Sequence, residues 1–162
     1  MTIAVQQGTL PVEVVGRFLN KAPVDLLAIA QALGLQVETV WFDEDHDAAG
    51  KIERSGQTYT VSINALDNAR RQRFTLAHEI AHYVLHRDLI GDGITDRGLY
   101  RSRLSDAIET QANRYAANLL MPAALVRTAW RDGNRSLTGV AELFNVSTEA
   151  ARIRLQELGL GA

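Results

Sequence analysis

Two of the four histidines in this 162-residue sequence stand four residues apart, with a glutamate directly after the first: His78-Glu79-Ile80-Ala81-His82. On an α-helix, His78 and His82 fall about 40° apart and one turn along, so both imidazoles can reach one metal ion. Glu79 falls at the edge of the same face. There its carboxylate can take a proton from a water at the metal without binding the metal itself. The chemistry that fits is metal-assisted hydrolysis. The pattern H-E-x-x-H would arise in roughly 0.5% of shuffled sequences of this composition, so further residues have to support it.

A catalytic zinc site takes three protein ligands and keeps one position open. The sequence has no cysteine, so the third donor must be His, Asp or Glu. His86 lies eight residues beyond His78, about 12 Å along the helix axis, too far to share the ion. His46 sits in the acidic stretch Asp43 to Asp47, with no regular frame to hold it. Glu109 is the better candidate. It projects from a helix face made by Ala112, Asn113, Ala116 and Leu120, where an unpaired buried carboxylate would cost several kcal/mol and metal ligation removes the cost. The small Ala112 and Ala116 let that helix come close to the histidine helix. Asn113, one turn after Glu109, either hydrogen-bonds it as a supporting partner or makes an ordinary hydrogen bond on its own helix. His86 is either a second supporting residue or a charge that stabilises the helix C-terminus. Tyr83, Tyr100, Tyr115 and His86 are the candidates for stabilising an oxyanion.

The elements that must position these side chains can be read in outline. Helices are expected over residues 11–20 and 23–33, with Pro11 and Pro23 at their starts and Gly34 as the stop. Strands are expected over 35–42, 51–54 and 59–63, the last two forming a hairpin about Ser55-Gly56. A long helix from Asp67 to about His86 carries the metal motif. On it, Phe74, Ala77, Ala81, Val84 and Leu85 form the packing side opposite the histidines. Residues 88–103 read as an irregular loop in which Arg97, Arg101 and Arg103 flank the expected cleft. The next helix begins at Ser105 or Asp106 and runs to Met121 before Pro122. Short helices close the chain, among them Leu137–Phe144 and Thr148–Leu158. Helices, then strands, then helices predict an α+β fold with a small antiparallel or mixed sheet. Residues 1–122 would form the core and 123–162 a helical tail packed on it.

Composition narrows the classes of function. Apolar residues make up 46% and charged residues 22%, the balance of a globular domain. Net charge is −2, and it is uneven: −5 over residues 1–68, +2 over 69–122 and +1 over 123–162. A dedicated nucleic-acid binder concentrates more positive charge on one element, so direct nucleic-acid binding is not expected. The longest apolar stretches, such as Asn118 to Val126, fall far short of the roughly 20 residues that span a bilayer. Met1 to Leu10 lacks the basic start and apolar run of a secretory signal. A cytoplasmic location without membrane attachment is the expectation.

Two longer stretches add a family resemblance. Arg71-Gln72-Arg73-Phe74-Thr75-Leu76-Ala77-His78-Glu79-Ile80-Ala81-His82-Tyr83-Val84-Leu85-His86 resembles the signature of the ImmA/IrrE metallo-endopeptidases, which are zincin-like. So does Glu109-Thr110-Gln111-Ala112-Asn113-Arg114-Tyr115-Ala116-Ala117-Asn118-Leu119-Leu120-Met121-Pro122, whose pattern is far more specific than H-E-x-x-H. Segments from Pro23 to Leu35 and from Phe144 to Leu160 are also similar. The resemblance implies His78, His82 and Glu109 as metal ligands and Glu79 as the catalytic carboxylate. It implies zinc, with manganese as the other ion such donors accept. It further implies a helix-turn-helix repressor or antitoxin-like protein as substrate or partner, in an anti-repressor or toxin-antitoxin setting of transcription regulation. In chain order Tyr59 to Ile63 comes just before the active-site helix, and it is expected to offer an edge to an extended substrate strand. A competing reading comes from Leu137–Phe144, the turn at Asn145-Val146 and Thr148–Leu158, which outline a helix-turn-helix. Arg152 and Arg154 lie on its second helix, beside Glu149 and Glu157. On that reading the protein is a DNA-binding or repressor-binding regulator with a structural metal site.

Overall fold

The computed structural model describes residues 9–42, 49–91, 94–95 and 103–161. The acidic stretch with His46, and Arg97, Tyr100 and Arg101, lie outside the described residues, as does the side chain of Arg103. Pro11 starts α1 (Pro11–Gly16), its fixed φ suiting the first helical position. The second helix, α2 (Leu26–Ala32), begins three residues later than Pro23, because the Asp25 carboxylate accepts the Ala28 N–H at 3.0 Å and caps it there. Gly34, at φ +79°, turns the chain out of α2 into the sheet.

Four strands follow: β1 (Leu35–Val40), β2 (Gly50–Ser55), β3 (Thr58–Asn64) and the short β4 (Ile94–Thr95). They form one mixed sheet in the order β1-β3-β2-β4. β1 runs parallel to β3, with Val37 opposite Val61 and Thr39 opposite Ile63. β2 is antiparallel to both β3 and β4. The hairpin between β2 and β3 is the expected one, a turn at Gly56-Gln57 with Ser55 paired to Thr58. The expected substrate edge at Tyr59 to Ile63 is corrected here. β3 is hydrogen-bonded on both sides, so its backbone groups are already used; the outer positions belong to β1 and β4.

Against this sheet lies α3 (Ala69–His86), capped by Asn68, whose side chain accepts the Arg71 N–H at 2.9 Å. A 3-10 turn, Arg87–Leu89, follows it. α4 (Arg103–Leu120) packs along α3, bringing Ile108, Ala112, Ala116, Leu119 and Leu120 to the buried side. The close approach rests on Ala112 and Ala116, both 0% exposed. α5 (Ala123–Arg131), α6 (Leu137–Phe144) and α7 (Thr148–Glu157) complete the chain. The result is the α+β architecture that the order of elements predicts, and it agrees with the zincin-like fold that the resemblance implies.

The last three helices share the buried cluster of the rest of the domain. Val126, Val140, Phe144 and Leu155 join Ile29, Val61, Ile80 and Leu119 in one contiguous core. Arg154 is buried as well, and its Nε donates to the Met121 carbonyl at 3.0 Å, tying α7 to the end of α4. Ile153, on the same helix, is 44% exposed. Phe144 is among the largest fully buried side chains. Phe144→Ala is expected to cost about 3–5 kcal/mol. In urea melts it should move one cooperative transition of the whole chain, rather than split off a separate one for the tail. Among the described residues no helix is long and apolar enough to cross a membrane.

Candidate metal centre

The middle of α3 has no solvent face. All nine residues from Thr75 to Tyr83 are buried. The expectation of a histidine side and a separate packing side holds only in part. Ala77 and Ala81 are buried as expected, but Leu85 is 44% exposed and Leu76, Ile80 and Tyr83 take up the packing. The reason is tertiary: the sheet covers one side of the helix and α4 covers the other, so the histidines are enclosed too.

The structure brings His78, His82 and Glu109 together, with one donor atom from each lying within 4.8 Å of the others. His78 Nε2 and His82 Nε2 face each other at 3.1 Å. Glu109 reaches across from α4, with Oε2 at 3.1 Å from His78 Nε2 and Oε1 at 3.0 Å from His82 Nε2. Burial pushes the Glu109 carboxyl up, but when His78 and His82 carry a proton on Nε2 their hydrogen bonds and positive charge outweigh it and bring it to about 2, so the carboxylate is ionised while the rings are charged.

Hydrogen bonds from behind set the ring tautomers. Asn113 Oδ1, an acceptor only, takes His78 Nδ1–H at 2.8 Å, which leaves the lone pair of His78 on Nε2. Gln111 Oε1 takes His86 Nε2–H at 2.8 Å, so His86 Nδ1 accepts His82 Nδ1–H at 3.0 Å. The lone pair of His82 is then also on Nε2. Burial, the largest influence, lowers the pKa of His86 and keeps it in the neutral form this relay needs. With both rings neutral, two nitrogen lone pairs and two carboxylate oxygens thus converge. A tetrahedral ion with bonds of about 2.0–2.1 Å has donor–donor edges of about 3.3–3.4 Å. The donor set and its spacing fit a divalent ion of that size.

Several expectations change in detail. Asn113 supports His78 rather than Glu109, because Glu109 points at the histidines while Asn113 lies at the rim of the same face. His86 is a supporting residue and not a charge at the helix end, since the burial that lowers its pKa disfavours the imidazolium. Gln111 was not singled out by spacing. The available signal is that Gln111 and Asn113 flank the small, buried Ala112, where two long polar side chains can reach around toward a neighbouring helix. Tyr83 packs edge-on against Tyr59 at 5.1 Å, with Arg87 over its ring, and Tyr115 lines a surface hollow with Leu85 and Asn118. Tyr100 lies outside the described residues.

Glu79 is 0% exposed and sits beneath the sheet beside Gly50 of β2. A Cβ at Gly50 would collide with Thr75 Cγ2, lie 2.9 Å from the Ser62 carbonyl oxygen and come within 3.7 Å of Glu79 Oε1. Glycine is what lets β2 approach α3 here. Gly50→Ala is expected to lower stability by about 1–3 kcal/mol through overpacking, measured by denaturant midpoint.

A family model described as the IrrE N-terminal-like domain matches residues 30–156. The radiation response metalloprotease IrrE of Deinococcus deserti is 39% identical over 104 residues, 61% of this chain and 36% of that protein. Its namesake in Deinococcus radiodurans is 37% identical over 102 residues, 60% of this chain and 30% of that one. Metallopeptidase ImmA of Bacillus subtilis is 28% identical over 109 residues, covering 66% of this chain and 61% of the relative. The chain spans about a third of the length of the two IrrE proteins it matches. The matched region takes in α3, α4 and every residue of the cluster, and the chain belongs to the family of IrrE N-terminal-like peptidase domains.

Proposed function

We propose that this chain is a metal-dependent endopeptidase that cuts a regulatory protein, a helix-turn-helix repressor or an antitoxin-like partner, in the cytoplasm. The observation that carries the reading is the convergence of His78 Nε2, His82 Nε2 and the Glu109 carboxylate with their lone pairs turned inward. These three side chains would hold the ion, with zinc the first choice and manganese the second. A divalent ion there supplies Lewis acidity and brings the pKa of water toward 7. Glu79 takes the proton of the attacking water on its carboxylate and delivers it to the leaving amine nitrogen. Asn113, His86 and Gln111 hold the two imidazoles in the tautomer that exposes Nε2. The relatives, a metalloprotease and a metallopeptidase by name, support the same class of reaction.

The state of α7 weighs against a DNA-reading role. Arg154 is buried on the Met121 carbonyl, and Arg152 is held by Glu149 and Gln156. Incubating the zinc-loaded chain with a helix-turn-helix repressor encoded beside it should give one discrete cut, located by mass spectrometry. A chelator should abolish the cut and added zinc restore it. Stable complex formation without cleavage would favour the non-catalytic, repressor-binding regulator instead.

A further inference from the structure

A cavity of about 710 Å³ lies on the far side of α3 from the metal centre and shares no residue with it. It opens between the chain that links α1 to α2, the β1 side of the sheet and the first two turns of α3. Its α3 wall is Ala69, Gln72, Arg73 and Leu76, a single stripe at helical spacing. His78 and His82 point the other way.

The lining has two kinds of chemistry. Phe18, Val24, Val37, Ile63 and Leu76 make an apolar interior. Arg17, Lys21 and Arg73 bring three positive charges, against one carboxylate, Asp25, which already caps α2. Arg17 and Lys21 form no ion pair among the described residues. Arg73 donates through Nη2 to the Val24 carbonyl at 2.7 Å, while its Nε is fully buried and has no hydrogen-bond partner. A buried donor on a cation without an acceptor costs free energy unless something supplies one. Sites of 300–1,000 Å³ with apolar walls and a few converging polar groups are the form that small-molecule sites take.

We infer that this cavity is a binding site for a small amphipathic organic anion, its apolar body between Phe18, Ile63 and Leu76 and its anionic group among Arg17, Lys21 and Arg73. The volume suits a small molecule, and the excess of positive charge selects an anion over a neutral compound of the same shape. The site is independent of the peptidase reading. It places a ligand against the back of the helix that carries both histidines, with Arg73 about 7.5 Å along the axis from His78.

The test uses two fluorescent probes that differ by one anionic group, 8-anilinonaphthalene-1-sulfonate and N-phenyl-1-naphthylamine, on the metal-loaded full chain. One saturable site is expected, with the sulfonate binding about tenfold or more tighter than the neutral probe. Decanoate should displace the sulfonate. A double variant, Arg17→Gln with Lys21→Gln, alters two exposed side chains and should remove most of the preference. Leu27 lines the same cavity and is 64% exposed, and Leu27→Glu should weaken the sulfonate more than the neutral probe. Thermal unfolding of each variant, expected to match wild type, separates lost binding from lost fold. Equal binding of the two probes, or a preference that survives the double variant, would overturn the proposal and leave only an apolar surface patch.

Discussion

Glu79→Gln is expected to leave the metal content of the chain unchanged and to lower peptide hydrolysis by about 10²–10⁴-fold. The two side chains are nearly the same size, so the enclosed space between α3 and Gly50 is filled as before. Glu79 is not one of the three side chains whose donors converge. What the amide lacks is a site of sufficient basicity to take a proton from water and hand it on. The loss should fall on kcat with little change in KM, because substrate is held by other groups. Metal analysis beside single-turnover cleavage reads both parts. Loss of the metal together with the activity would make Glu79 part of the ion's support, and undiminished cleavage would move the base elsewhere.

The second large effect is expected at Glu109. Glu109→Ala should reduce bound zinc from about one ion per chain to almost none, because two imidazoles alone leave the ion without its third protein donor. A paired measurement is the thermal response. Excess zinc should raise the melting temperature of wild type, by linkage worth about 4 kcal/mol at a thousandfold excess over the dissociation constant, and should leave the variant where it was. The Glu109 side chain is 27% exposed, and the alanine removes a carboxylate rather than a fully buried apolar side chain. The variant should therefore fold. A variant that still binds zinc stoichiometrically would remove Glu109 from the ligand set and point to a donor beyond the described residues.

The metal cluster was legible because its parts obey local rules. His78 and His82 share a face by helical geometry alone, and the absence of cysteine with the poor placement of His46 and His86 left Glu109 as the third donor. The hairpin and the last two helices were legible for the same reason: turn residues and caps such as Ser136 and Ser147 act over three residues. What sequence could not carry was set by neighbours distant in the chain. The partner of Asn113 depends on how closely α4 approaches α3, and so does the reach of Gln111 to His86. β3 is flanked on both sides because β1 adds to it in parallel, which chain order does not reveal. Leu85 and Ile153 have the right periodicity to pack, and are exposed because no element among the described residues covers them.

The unbroken burial of Thr75 to Tyr83 has a consequence for how the site behaves in time. Amide protons of these two and a half turns can exchange with solvent only when the domain opens as a whole, whereas helix ends and loops open locally at much lower cost. Hydrogen-exchange rates along this stretch should report the global stability and vary little from residue to residue. The imidazoles are therefore mounted on a stretch that opens only with the whole domain, and they are set before any ion arrives. Capture then requires little further ordering of α3, so the entropy of organising the donors has already been met during folding.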